Sequence, residues 1–367
     1  MPSKSEILNE NSVLDEKLFK DSPKTEDTTS HIISFLSEKA IEQNKLQKAL
    51  SLFAFNKNCY HANQPQRIKD AFVRYVSKNN QKAVQEMLNT HPEFKIHQLL
   101  GYIASGNQDE AEQMLKEHPE LLLQSGSVID PSGRHFKNIR PFELLLWTMD
   151  VRYMANMVLH CIPQDKKGDE IRIELLKQYK TVIEDFDVEK KTGGVHFTLN
   201  GEKHHEKHFD FKPLINALDT YAKNYDDWTV KERRAHWCKV IGKEQRMLPM
   251  NVRQHYCDPD ESFYPTPTFD KQELKRGLKL HTFAKDEDDI WNSGLIGLGE
   301  DFGITRCDGV GGAWEVMGGG GRPLATIDLA AISALCKMRT IDLGLLKKQL
   351  EQLIQKSEEI HLVIRHH

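Results

Sequence analysis

The sequence predicts a mainly α protein in which stacked helical hairpins are followed by a loop-rich, mostly helical C-terminal module with a minor α+β component. Three observations lead there. The first is an internal near-repeat: Asn80-Gln81, Met87-Leu88 and His91-Pro92-Glu93 return 27 residues later as Asn107-Gln108, Met114-Leu115 and His118-Pro119-Glu120. The second is the spacing of apolar residues in and between those units, at three and four positions, which is that of one face of a helix. The third is a change of character after Trp228. There Trp237, Trp291 and Trp314 join Pro249, Pro259, Pro265, Pro267 and Pro323, and long periodic faces give way to loops held by aromatic anchors.

Taken in order, residues 1–30 hold the polar run Asp21 to Ser30, which has too few apolar side chains to offset its ordering entropy and is expected as a flexible lead-in. A helical-hairpin module over 31–165 follows. Ile33, Leu36, Ala40 and Ile41, then Leu46, Leu50, Leu52 and Phe53, predict one bent helix or two in succession. In the repeat, Ala83, Met87 and Leu88, and again Ala111, Met114 and Leu115, share the face of a short helix. The proline of His-Pro-Glu ends each one, because the residue before a proline is driven out of the helical region. Ile96, Leu99, Leu100 and Ile103 make the face of the helix between, and Gly106 stands where a helix end takes a left-handed residue. Asp130-Pro131-Ser132-Gly133, flanked by alternating residues, predicts an inserted finger or hairpin. A third, degenerate unit runs from Pro141 to Pro163. The module over 166–340 opens with a helix over 171–185, a short strand over 193–200 and a helix over 213–225. The last segment, 341–367, is an amphipathic helix with Leu345, Leu346, Leu350, Leu353 and Ile354 on one stripe, and a tail.

Two-helix units cannot bury their apolar faces alone, so stacked neighbours would share a core and leave a concave surface for a partner. The repeat resembles the ankyrin repeat. It departs from that pattern in its spacing, 27 residues against about 33, and in lacking a Thr-Pro-Leu-His stretch. The alternative is an ordinary helical bundle in which the repeat is a packing habit.

Composition excludes several classes. Lys plus Arg number 50 and Asp plus Glu 54, for a formal charge of −4, so neither a globally basic nucleic-acid binder nor an acidic disordered tail is expected. No apolar run approaches the roughly 20 residues that span a bilayer. The N-terminus lacks the basic start and apolar middle of a secretory signal. Cys59, Cys161, Cys238, Cys257, Cys307 and Cys336 lie far apart, which suits reduced thiols in a cytosol better than a disulfide scaffold.

Few residues suggest chemistry. His204 and His208, with His196 upstream, would share a face if they stood on a helix; a solvated polar loop is the plainer reading. His236-Trp237-Cys238 and His255-Tyr256-Cys257 repeat the pattern His-x-Cys, and His236, Cys238, His255 and Cys257 make a weak zinc ligand set because the usual ligand spacing is two to four residues. Small buried thiols are the plainer reading. The glycines from Gly309 to Gly321 lack the Lys-Ser or Lys-Thr of a phosphate loop. No cofactor is implied. Arg233, Arg234, Lys239, Lys243, Arg246 and Arg253 form a basic window with Trp237 and Tyr256, suited to an acidic protein, a phospholipid head group or RNA, or else to a solvated helical face.

The span GNQDEAEQMLKEHPELLLQSGSVIDPSGRHFKNIRPFELLLW, the span HWCKVIGKEQRMLPMNVRQHYCDPDESFYPTPTF and the closing IDLAAISALCKMRTIDL together resemble an ankyrin-like, uncharacterised family of secreted effectors from Legionella- and Coxiella-type intracellular bacteria. The resemblance implies export through a type IV secretion system, with action in the host cytosol, and brings no agreed catalytic residues. The functional expectation is a protein–protein interaction module acting on a host protein, with Arg134, His135, Phe136 and Lys137 on the finger as contact residues. The competing expectation is an enzyme modifying a host target, with a pocket near Arg246, His255, Cys257 and Asp301. Anionic lipid is a third class of partner; nucleic acid is not expected.

Overall fold

The computed structural model describes residues 64–282, 287–292, 294–306, 312–317 and 321–365. The lead-in, the helices expected over 32–53 and five of the seven glycines of the stretch Gly309–Gly321 lie outside these. The chain divides into Met1–Phe72 and a compact unit, Val73–His367. Within the latter, one hydrophobic core runs from Ile96 to Leu350.

The repeat is real at the level of backbone conformation. Helix α1 (Gln64–Ser77) is followed by Asn79 at φ 52° and the helix-capping Asn80; α2 (Gln81–Leu88) then leads to His91 at φ −133°, ψ 67° and a 3₁₀ turn at Pro92–Phe94. The next pair copies it. After α3 (Lys95–Ala104), Gly106 takes φ 69° and Asn107 stands at the N-cap position of α4 (Gln108–Glu117), without the side-chain hydrogen bond that Asn80 makes; α4 leads to His118 at φ −136°, ψ 62° and the 3₁₀ turn Pro119–Leu123. In both corners the histidine Nδ1 meets the following glutamate, at 3.0 Å for His91–Glu93 and 3.2 Å for His118–Glu120. The third unit keeps half of the device. Helix α5 (Pro141–Thr148) ends on Met149 at φ 57°, and Asp150 caps the π turn Val151–Ala155 that opens α6 (Asn156–Cys161).

The expected mainly α, ankyrin-like fold is nevertheless corrected. The described residues form two sheets of four strands each, so the protein is mixed α/β, and no ankyrin repeat is present among them. The expected finger is the hairpin β1 (Gly126–Ile129) and β2 (His135–Ile139), but it does not stand free: β2 pairs with β3 (Val195–Leu199), which pairs with β4 (Glu202–Glu206) in an antiparallel meander. Between these strand pairs lies α7 (Lys166–Tyr179), extended by a π turn at Lys180–Glu184. His204 therefore stands on a strand rather than a helix. Past α8 (Lys212–Asn224), helix α9 (Val230–His236) continues through a π turn at Trp237–Ile241 into α10 (Gly242–Arg246), and α11 (Met250–Cys257) follows. The second sheet, ordered β6-β5-β8-β7, comprises β5 (Lys279–Thr282), β6 (Glu287–Ile290), β7 (Gly303–Arg306) and β8 (Ala313–Val316).

Why these strands escape a sequence reading is physical. Period-two alternation appears only where one face is wet and the other dry. Strand β7 is buried at all four positions, β6 is exposed at all four, and β4 reads Glu-Lys-His-His-Glu. The final helix α12 (Arg322–Arg365) starts well before residue 341 and packs on α7 and α8. Its inner stripe is Ala331, Ile332, Leu335, Leu343, Leu346 and Leu350, whereas Leu345, expected on that stripe, is exposed. No helix among the described residues is long and apolar enough to cross a membrane.

Candidate functional site

The place to begin is the turn of the β1–β2 hairpin. Asp130 Oδ1 accepts the backbone N–H of Ser132 (2.9 Å) and of Arg134 (2.8 Å), and its other oxygen accepts Arg134 Nη1 at 3.1 Å. Gly133 at φ 87° completes the turn. This is the local aspartate-turn chemistry that Asp-Pro-Ser-Gly encodes. The turn is then applied to the end of α10. A helix leaves its last carbonyls without partners, and here three in a row are satisfied by side chains. Arg253 Nη2 donates to the carbonyl of Arg246 (2.8 Å), Arg134 Nη2 to that of Met247 (2.8 Å), and Arg253 Nε to that of Leu248 (3.0 Å). Arg253 Nη2 also donates to Ser132 Oγ at 3.0 Å. Two arginines and a serine thus rivet the hairpin to the helix end.

Beside the rivet lies a cleft of about 260 Å³ whose lining includes Ser132, Gly133, Arg246, Arg253, Asn292 and Leu298. Arg253 is 1% exposed, and burial pulls its guanidinium down to about 10, with Asp130 opposing the shift. Its Nε and Nη2 are engaged as described, which leaves Nη1 as the end without a hydrogen-bond partner among the described residues. Its guanidinium also lies 5.8 Å from the Trp291 ring, within cation–π range. Arg246 is exposed, and only its backbone carbonyl is held. The Asp130 carboxylate on the same lining is already consumed by Arg134, so the cleft is cationic in effect.

The other sequence candidates fall in different places. Arg134 and Phe136 face inward. The Arg134 guanidinium lies 5.1 Å from the Trp147 ring, and Phe136, 0% exposed, packs edge-on to Trp147 at 5.0 Å. Neither side chain offers a contact surface; His135 is half-buried in the sheet and Lys137 is exposed. His236 bonds the carbonyl of Ala217 through Nε2 at 2.9 Å, and Cys238 Sγ donates to the carbonyls of Asp301 (3.1 Å) and Met317 (3.2 Å). His255 sits between Tyr153 and Phe269 with both ring nitrogens unpartnered; burial, then Arg339, Arg276, Lys271 and Arg152, hold it neutral. Burial pushes the Cys257 thiol up to about 12. These four gather no metal set, and among the described residues no group of three potential ligands exists. Arg246, His255, Cys257 and Asp301 share no hydrogen bond or ring contact; of the four, Arg246 alone lines the cleft.

The corners of the helical units are also occupied from within. Gln254 on α11 donates to the carbonyl of Gly106 (3.3 Å), Arg339 on α12 to that of Met149 (2.6 Å), and Arg276 reaches both Asp150 (2.8 Å) and Gln108 (2.6 Å). What sequence reasoning missed is Ser132, Asn292 and the burial of Arg253. Arginine is ordinarily exposed, so nothing in the basic window singles out the one that is not.

Fold and site together describe a mixed α/β protein with an arginine-lined cleft between a hairpin turn and a helix end. The chain belongs to the family of CBUA0006, an uncharacterised protein of Coxiella burnetii (strain RSA 493 / Nine Mile phase I). It is 35% identical to that protein over 249 residues, which cover 63% of this chain and 68% of the relative. The model of the CBUA0006 C-terminal domain matches residues 213–350. That match contains Arg246, Arg253 and Asn292, while Asp130 and Ser132 precede it, so the cleft joins the matched domain to the hairpin before it. No solved structure matches the chain.

Proposed function

We propose that the protein is a binding protein rather than an enzyme, and that the cleft holds a phosphate- or carboxylate-bearing group of its partner. The observation that carries this reading is that the cleft is lined both by a buried arginine, Arg253, and by the exposed Arg246. Planar guanidinium groups bind such oxyanions through paired, charge-assisted hydrogen bonds. The cleft has no activated nucleophile, since the Ser132 hydroxyl accepts from Arg253 and no histidine lines the site.

The test is calorimetric titration and thermal melting with inorganic pyrophosphate at low salt. Saturable binding that raises the melting temperature and is weakened about tenfold by Arg246→Ala supports the reading. No stabilisation at millimolar pyrophosphate overturns it. That the protein meets its partner in a host cell after export from a bacterium is a second proposal, supported by the kinship with a C. burnetii protein; a translocation reporter fused to the full chain and expressed in an infecting strain tests it.

A further inference from the structure

We propose that the cleft and the loop beside it form a docking site for the phosphorylated headgroup of an anionic membrane lipid, with Ile296 entering the lipid layer. The proposal rests on the cleft's binding an oxyanion and adds the source of that oxyanion. The loop between Trp291 and Phe302 supplies the new observation. Its root is fixed: Trp291 is fully buried and its backbone N–H donates to the carbonyl of Leu278 at 2.9 Å, and the Gly299 backbone N–H donates to the carbonyl of Phe302 at 3.0 Å. Ile296, between Gly294 and Gly297, is 91% exposed, the most exposed large apolar residue among those described, while its neighbours Leu295 and Leu298 line the cleft.

This apolar tip is anchored to a run of cations. A β-carbon on Gly299 would lie 3.1 Å from Lys243 Cα, and one on Gly242 would lie 2.5 Å from the Phe302 carbonyl oxygen, so the loop is pressed against the first turn of α10. Lys239 in the π turn and Lys243 and Arg246 on α10 are all exposed, and none has a side-chain hydrogen-bond or ion-pair partner among the described residues. The exposed isoleucine thus stands on a loop packed against the helical segment that carries these cations, beside a cleft lined by Arg246 and Arg253; the loop's own exposed acids, Glu300 and Asp301, follow Ile296 toward its base.

Charge complementarity asks for several phosphates, and the apolar tip asks for a phase other than water next to them. A bilayer interface offers both. A phosphopeptide supplies the charge but gives Ile296 nothing to enter.

Flotation of the full chain with phosphatidylcholine vesicles, with and without a minor fraction of phosphatidylinositol phosphate, tests the idea, alongside titration with the soluble headgroup inositol trisphosphate. Salt-sensitive flotation confined to the anionic vesicles is expected, reduced about tenfold by Arg246→Glu and also by Ile296→Asp, both surface changes whose folding is checked by circular dichroism. Soluble headgroup binding without flotation overturns the lipid proposal and leaves the oxyanion cleft standing; preference for phosphopeptides over vesicles does the same. Loss of both kinds of binding overturns both. If Ile296→Asp floats as well as the unaltered chain, the apolar contact is refuted.

Discussion

Asp328 on α12 is fully buried; its Oδ1 accepts the backbone N–H of Arg306 at 3.2 Å, and its Oδ2 has no hydrogen-bond partner among the described residues. Nearby Arg306 turns its guanidinium to the carbonyls of Tyr256 and Asp258, both at 2.7 Å, instead of to the carboxyl. Burial raises Asp328 from its ordinary 3.8 to about 7. The folded protein thus holds this proton more tightly than the unfolded chain does. The group's contribution is complete below pH 3.8, declines as pH rises and is lost above about 7. Chemical denaturation from about pH 5 to about pH 8 should show wild type losing ground to Asp328→Asn, by an amount on the order of a few kcal/mol. A gap that stays constant with pH would contradict the assignment. Cys257 makes a second residue-level prediction: with its thiol pushed to about 12 and buried, its peptide should resist iodoacetamide in the native protein and react on unfolding, as mass mapping would show. Phe136 makes a third. Packed against Trp147 and Phe197, it should cost about 3–5 kcal/mol in urea melts when changed to alanine, whereas Lys137→Ala should cost little.

At the scale of the element, the two His-Pro-Glu corners show how a short motif dictates backbone geometry. Each asparagine sits at nearly the same φ, −82° and −84°, after a residue in the left-handed region, and each histidine leaves the helix at the same angles. The motif is local, so it was legible. What was not legible is the use made of it. Gly106 has φ 69°, and a β-carbon there would meet Gln254 Nε2 at 2.5 Å. Gly106→Ala should therefore destabilise by about 1–2 kcal/mol, measured by urea denaturation. Part of the cost should vanish in a Gln254→Ala background, because only the backbone strain then remains. Equal costs in both backgrounds would mean that the corner is not docked on α11 as described. The aspartate turn was equally legible as a turn, yet its role as a clamp on α10 depends on a helix more than a hundred positions away in the chain.

At the largest scale, within Val73–His367, the helical hairpins and the C-terminal region form one compact unit. Arg152 pairs with Asp342 at 2.8 Å, Arg276 with Asp150 at 2.8 Å, and Arg134 with the end of α10, each contact spanning more than a hundred residues of sequence. Gln254, Arg276 and Arg339 occupy the helix ends at Gly106, Gln108 and Met149–Asp150, so those ends of the hairpins face the rest of the chain. Removing α12 by truncation at residue 321 should therefore unfold more than the last helix. Loss of cooperative melting across the unit Val73–His367, followed by tryptophan fluorescence, is the expected result. A truncated chain that still melts sharply would show the hairpins to be independent.

The sequence by itself determined the short helices of the repeat, the left-handed Gly106, the Asp-Pro-Ser-Gly turn and the strand near 195, since each depends on interactions within a few residues. Only the tertiary structure decided that Arg253 is buried while Arg246 is exposed, that Phe136 faces a core, and that eight short strands among the described residues make two sheets. Burial and pairing are set by segments distant in the chain, and strands of four or five residues that are wet or dry on both faces carry no periodicity of their own.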